Sequence, residues 1–269
     1  MPTTINTNMM SLNAQRNLAN TSNSLATSMA RLSSGLRVNS AADDAAGLSI
    51  ATRMDTQTRG MNVAIRNAND AISMAQTADG ALGAITNNLQ RMRELAVQAS
   101  NGTNTTSDIA SLNNEYKMLA QENARVVGAT KFNGQNVIAS ATFTFQVGAN
   151  AVASQDQISV TGSRFSGTAT DLGATTSTAF SQISMLDKDI ESVNNARSQW
   201  GAVENRFNTV ISNLQVSSEN SAAAHGRIMD ADYAKETANL SRAQVLQQAG
   251  TAMVAQANQM PQSVLSLLK

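Results

Sequence analysis

IATRMDTQTRGMNVAIRNANDAISMAQTADGALGAITNNLQRMRELAVQA, residues Ile50–Ala99, decides the fold of this chain. Within it Met54, Gln57, Met61, Ala64, Ala68, Ala71, Ala75, Ala78, Leu82, Ile85, Leu89, Met92, Ala96 and Ala99 follow one another at alternating steps of three and four. That spacing keeps a single seam on one side of an α-helix and is the heptad signature of helix-on-helix packing. At about 1.5 Å per residue, the helix it predicts is roughly 75 Å long. Its middle is filled with alanine, so the expected partner approaches closely, because small side chains shorten the distance between helix axes. Proline occurs only at Pro2 and Pro261, which leaves the whole interior free to form long helices. Asn101, Gly102 and the Thr, Asn and Ser residues up to Ser107 end this one.

Downstream, Asp108 is a candidate cap for a second helix whose seam is Ile109, Leu112, Tyr116, Leu119, Asn123 and Val126, predicted to fold back on the first. From about residue 131 to 179 the period changes. Thr142 to Val147 and Gln157 to Val160 alternate with β-branched and aromatic residues and are interrupted by Gly148, Gly162, Gly167 and Gly173, which predicts a small insert rich in β-hairpins. Helical period returns at Ile183, Leu186, Ile190 and Val193. It slips phase and then continues through Ala196, Trp200, Val203, Phe207, Val210, Leu214 and Ser217. The two ends carry seams of their own: Leu18, Ser22, Leu25, Met29, Leu32 and Leu36 near the start, and Leu246, Gly250, Met253, Ala257, Met260, Val264 and Leu267 near the finish. These one-sided helices are expected to pair with each other. Each buries too little apolar surface to order alone, so both are expected to fold only against other helices. The fold class is mainly α: long antiparallel helices in a coiled-coil bundle with a small β-hairpin-rich insert.

Composition narrows the function. The 269 residues are 42% hydrophobic, 14% charged and 3% aromatic, so the interior must be built from aliphatic residues and the 13 methionines, in thin seams. Formal net charge is zero, so no general field draws the chain to nucleic acid or an acidic membrane. No apolar run approaches the roughly 18 residues that a bilayer-spanning helix needs, and the N-terminus lacks the charged and apolar regions of a cleavable secretory signal. There is no cysteine, and His225 is the only histidine, which leaves no ordinary zinc site. The pairs Asp43 with Asp44 and Asp230 with Asp232 stand near expected helix starts, where a carboxylate caps the backbone and opposes the helix dipole. Arg31, Arg37 and Arg227 are candidate partners for them across subunits. No GxGxxG, phosphate-binding loop, GxSxG or HExxH string occurs, so catalytic, cofactor-binding and metal residues are all assigned as none, and the chain is not expected to be an enzyme.

The strings LSSGLRVNSAADDAAGLSIATRM (Leu32–Met54), LQRMRELAVQASNGTN (Leu89–Asn104), KFNGQNVI (Lys131–Ile138), FQVGAN (Phe145–Asn150) and the whole of Arg227–Lys269 resemble bacterial flagellin. The resemblance covers about residues 1–150 and 180–269. It implies a structural subunit that polymerises into the flagellar filament, with residues 1–44 and 227–269 as inner-tube helices that are disordered in the monomer and paired in the filament. Residues 45–226 would form the outer-tube domain. It further implies export without a cleaved signal through the flagellar type III apparatus to an extracellular filament. The implied partners are other flagellin subunits, an export chaperone, the filament cap and the hook-filament junction proteins. The vertebrate Toll-like receptor for flagellin would be met through an exposed Arg91 and Leu95 on the long helix and Glu115 on the next. The terminal residues Leu18, Leu25, Met29, Leu32, Leu36, Leu246, Met253, Met260, Val264 and Leu267 are the expected polymerisation interface. Competing readings are a hook-filament junction protein, which shares the terminal plan but ends a filament, and a signalling coiled coil of chemoreceptor type.

Overall fold

The structure, a computed structural model, describes residues 7–162 and 165–266. Among the described residues, six helices and two small hairpins follow in the order α1 (Met9–Ser34), α2 (Ala45–Ala99), α3 (Thr106–Ala129), β1 (Lys131–Phe132), β2 (Gln135–Asn136), β3 (Thr142–Gln146), α4 (Ala153–Asp156), β4 (Gln157–Thr161), α5 (Thr176–Met229) and α6 (Tyr233–Ser266). The chain is mainly helical, as its heptads demand. It divides into two compact units, one of Met1–Thr56 with Asn220–Lys269 and the other of Gln57–Glu219.

The second unit is built on the alanine stripe of α2. Ala68, Ala71, Ala75, Ala78, Leu82, Ile85, Leu89, Met92 and Ala96 are all fully buried, so the seam read from the sequence is the buried one from Ala64 onward. Opposite it, Ala179, Leu186, Val193, Trp200 and Phe207 of α5 are buried and lie seven residues apart. The expected phase slip between Val193 and Ala196 is therefore not needed. One heptad register runs through, and the covered arc merely widens from Ile183 and Ile190 on one flank to Ala196 and Val203 on the other. The two helices are antiparallel, since Arg93 Nε donates to Asp187 at 2.7 Å while Arg197 Nε donates to Asp79 at 2.8 Å. α3 returns along α2 in the same sense, with Asn88 Nδ2 donating to Asn123 Oδ1 at 2.8 Å. Its N-cap is Thr105 rather than Asp108. The Thr105 hydroxyl accepts from the Asp108 N–H at 3.3 Å, and the Asp108 carboxylate accepts from the Thr105 N–H at 2.9 Å, a reciprocal capping box.

The insert consists of two antiparallel hairpins. β1 and β2 are joined at Asn133 and Gly134, both at positive φ (48° and 79°), the geometry of a two-residue hairpin turn. β3 and β4 pair with Phe143 opposite Val160 and Phe145 opposite Ile158. Their shared face joins the core, where the Phe145 ring meets the edge of Phe207 with centroids 5.5 Å apart. A Cβ on Gly60 would lie 2.7 Å from that of Ala149, so glycine is what lets the hairpin connection rest on α2. The loop before α5 is held by Asp189, a buried carboxylate that sequence reading passed over. It accepts from the Thr168 N–H and hydroxyl, both at 2.9 Å, and from the Ala169 N–H at 3.3 Å.

Ala75→Leu should destabilise this unit by about 1–3 kcal/mol, the usual cost of overpacking a filled core, whereas Gln76→Leu next to it should stay within about 0.5 kcal/mol. Thermal unfolding followed by circular dichroism compares the two.

Candidate assembly surface

In the first unit α1 and α6 run antiparallel. Asn8 Nδ2 donates to the Ala257 carbonyl and Ser11 Oγ to Asn258 Oδ1, both at 2.7 Å. Further along, a Cβ on Gly250 would come within 3.1 Å of Leu18. The covered side of α1 is Ser11, Ala14, Leu18, Thr21, Leu25, Ser28 and Leu32, and that of α6 is Ala243, Gln247, Gly250, Val254 and Ala257, both at three-and-four spacing. Leu18, Leu25 and Leu32 thus sit half-buried on the seam. Met29 does not: Ser28 takes the buried position and Met29 is 57% exposed. On α6 the expected Gly250 and Ala257 lie on the covered side, but the bulky members of the seam are displaced to one flank. Leu246, Met253 and Met260 are 51%, 61% and 50% exposed, because the close approach selects the smaller Ala243, Gly250 and Ala257 for the contact. Leu267 and the side chain of Val264 lie outside the described residues.

The displaced side chains border an open groove of about 550 Å³ between the two helices, lined by Met10, Leu18, Leu246, Met253 and Met260 among others. A second, more polar groove follows it, bordered by Ser24, Arg31, Glu236 and Arg242. There the buried Nε of Arg31 has no acceptor among the described residues.

The polypeptide between α1 and α2 is clasped to the end of α5. Gly35 adopts the left-handed conformation (φ 74°) that ends α1, and its N–H donates to the Arg31 carbonyl at 2.9 Å. Leu36 then forms an antiparallel bridge with Asp230, flanked by Arg37 N–H to Met229 carbonyl at 2.6 Å and Ala231 N–H to Gly35 carbonyl at 2.9 Å. The Arg37 guanidinium donates to the carbonyls of Ile228 at 2.7 Å and Arg227 at 3.3 Å, satisfying acceptors that the last turn of a helix leaves open. Beneath the bridge, Leu36, Leu48 and Ile228 pack on a small cluster of Val38, Ala51 and Met229.

One carboxylate of each expected pair, Asp44 and Asp232, works as a cap. Asp44 Oδ1 accepts from the Gly47 N–H at 2.8 Å, and Asp232 Oδ1 from the N–H groups of Ala234 at 3.0 Å and Lys235 at 3.2 Å. Asp43 accepts from the backbone of Ser40 at 2.9 Å and of Asn39 at 3.1 Å. The Ser40 backbone bond, followed by that of Asn39, holds the Asp43 carboxyl below its ordinary range. No group of three potential metal ligands occurs among the described residues, and none of their helices is long and apolar enough to cross a membrane.

In the second unit, Arg91 Nε and Glu115 Oε1 form an ion pair at 2.9 Å, with Arg91 also reaching Glu94 at 2.9 Å. Both partners are about half exposed. Leu95 is not the exposed residue that the resemblance implies: it is 1% exposed and belongs to the core. α2 is covered by α3 as well as α5, so its buried arc is wider than one seam and takes in the position before Ala96.

Fold and surfaces together define a class, the coiled-coil structural proteins whose terminal helices leave apolar side chains uncovered by their own chain. Residues 5–142 match the family described as the bacterial flagellin N-terminal helical region, and residues 183–268 match the bacterial flagellin C-terminal helical region. A flagellin of Halalkalibacterium halodurans is 45% identical over 271 residues, covering 98% of this chain and 99% of its own. The flagellar filament 33 kDa core protein of Treponema phagedenis is 37% identical, again covering 98% of this chain and 99% of its own. The crystal structure of Bacillus cereus flagellin superposes with a TM-score of 0.51 at 35% identity, covering 60% of this chain and 94% of that one. The chain belongs to the bacterial flagellin family. It is a structural subunit that polymerises into the flagellar filament, the helical propeller of motility, and the junction-protein and chemoreceptor readings are not favoured.

Because the folded-state pKa of Asp43 is depressed, its contribution is present above the unfolded value and is lost as pH falls through the folded one. Hydrogen exchange of the Asn39 and Ser40 amides should accelerate across that acid window in the wild type, beyond the intrinsic pH trend, and Asp43→Ala should exchange fast throughout.

Proposed function

We propose that residues 1–44 and 227–269 form the inner tube of the filament and residues 45–226 the outer layer, with the terminal pair completing its order on assembly. The observation that carries this reading is the uncovered apolar row Leu246, Met253 and Met260 beside Met10. A second copy's terminal helices offer surface of the same chemistry, and covering the row adds the burial that a single thin pair lacks. The buried, unpaired Nε of Arg31 supports a partner arriving on the same side. The interface comprises Leu18, Leu25, Leu32 and Leu36 within the pair and its clasp, Met29, Leu246, Met253 and Met260 on its open flanks, and Val264 and Leu267 at the tail. The stretch 143–182 lies outside both family matches, and its described residues hold the β3–β4 hairpin with the short α4 in its connection, a loop and the first turns of α5, which supports a smooth filament without a large projecting domain.

The subunit leaves the cell through the flagellar type III apparatus without a cleaved signal, escorted by an export chaperone. It assembles outside the cell between the hook-filament junction proteins and the filament cap. It has no catalytic, cofactor-binding or metal-binding role. The vertebrate Toll-like receptor for flagellin meets the half-exposed Arg91 and Glu115, while Leu95 acts from beneath by fixing the height of this face on α2.

Deleting Gln262 to Lys269 should abolish elongation of sheared filament seeds in electron micrographs while leaving most monomer helicity in place. Unchanged filament yield would sink the assignment of the tail. Arg91→Ala with Glu115→Ala should weaken the dose response of receptor reporter cells with little loss of stability, since an exposed pair contributes only about 0.2–1 kcal/mol. An unaltered dose response would remove these two residues from the receptor site.

A further inference from the structure

The terminal pair concentrates oxidisable side chains. The chain has no cysteine and its single Trp200 is buried, so thioethers are the main targets that it offers to peroxide. Met74, Met92 and Met229 are buried, whereas Met9, Met10, Met29, Met253 and Met260, all on α1 or α6, are exposed. Met10, Met253 and Met260 line the same groove, so three sulfurs stand on the strip of surface that the proposed assembly covers. Oxidation turns a flexible apolar side chain into a polar, chiral one that disrupts a methionine-lined interface.

We propose that Met10, Met253 and Met260 form a redox-controlled assembly site, at which methionine sulfoxide blocks polymerisation and its reduction restores it. The oxidant is hydrogen peroxide. A sulfur lone pair attacks one peroxide oxygen, the O–O bond breaks, and the second oxygen leaves as water. The thioether is oxidised by two electrons to the sulfoxide and the peroxide is reduced. Return requires a thiol-dependent methionine sulfoxide reductase of each stereospecificity, which removes the oxygen as water and leaves a disulfide on the reductant. The groove is lined by Leu18, Leu246 and small aliphatic groups, with Asn13, Asn17, Thr21 and Gln256 along it, and a sulfoxide on the methionine row replaces apolar surface with a hydrated polar group whose desolvation opposes covering the row.

The inference rests on the reading of this groove as a filament interface, and one experiment separates the two. Purified full-length chain, untreated or treated with hydrogen peroxide, is added to sheared seeds. Pelleted polymer is quantified and sulfoxide at each methionine is mapped by mass spectrometry in pellet and supernatant. Untreated protein should elongate the seeds; if it does not, the filament reading and this proposal fall together. In a partly oxidised sample, subunits carrying sulfoxide at Met10, Met253 or Met260 should remain in the supernatant, while those oxidised only at the exposed Met118 or Met185 should enter the pellet. Treatment with both reductases should return the yield to that of untreated protein. In the variant Met10→Leu, Met253→Leu, Met260→Leu, peroxide should no longer lower the yield of elongated seeds relative to the same variant left untreated, since leucine offers no sulfur to oxidise. Equal sulfoxide occupancy at the three positions in pellet and supernatant overturns the proposal even where the filament reading stands, and this comparison needs no variant.

Discussion

How closely two helices can approach is set by the smallest residues between them, and that constraint organises both parts of this chain. On α2 the run Ala68, Ala71, Ala75 and Ala78 leaves no bulk on the contact side, so α5 settles onto it with Trp200 and Phe207 supplying the volume. Along this run the large residues come from α5 and the small ones from α2. The interior closes with only nine aromatic side chains in the whole chain, six Phe, two Tyr and one Trp. Polar contacts then fix the register: Asp79 with Arg197, Asp187 with Arg93, and Asn88 with Asn123 tie antiparallel helices at set heights. The insert adds its aromatic face, Phe143 and Phe145, to the same core.

The terminal pair obeys the rule with weaker material. Its seam is made of Ser11, Ala14, Thr21 and Ser28 between leucines on α1, against Ala243, Gly250 and Ala257 on α6. Such a seam positions two helices accurately but removes little apolar surface from water. The larger residues are left on its flanks. A filament subunit gains from this division: what holds the pair in register differs from what a neighbour covers, so a helix pair of modest strength becomes strong only in company. The clasp of Gly35, Leu36 and Arg37 on the end of α5 belongs to the same economy, since it secures the start of α2 through backbone groups rather than through volume.

Much of this was legible in the residues. The heptad from Ala64 to Ala99, the return of α3, the hairpin strands and the capping carboxylates follow from period and residue type. What period alone could not show was the width of a buried arc. Leu95 is off the Ala96 seam on paper, yet α2 is covered from two sides and the residue is enclosed. On α6 apolar residues surround much of the helix, so spacing admits two seams one flank apart. Both include Gly250 and Ala257; bulk favours completing the seam with Leu246, Met253 and Met260, and close approach decides for Ala243, Gln247 and Val254. Asp189 was invisible for another reason. A carboxylate between Leu186 and Val193 looks like a solvent-facing break in a stripe, and only the fold reveals that three donors from residues 168 and 169 surround it.

The β3–β4 hairpin carries an evolutionary consequence. Its strands are registered from Thr142 opposite Thr161 to Gln146 opposite Gln157, and the connection is closed at its base by the Val147 N–H on the Asp156 carbonyl at 2.7 Å. Chain added at the exposed residues Asn150 and Ala151 would therefore leave and re-enter at adjacent points, and each doubling of its length costs only about 0.6 kcal/mol of closure entropy. The helices would keep their heights and their alanine contacts. A lineage under pressure to change its surface can thus do so through this one doorway, elaborating a small hairpin into a decorated domain while the machinery of polymerisation stays as it was.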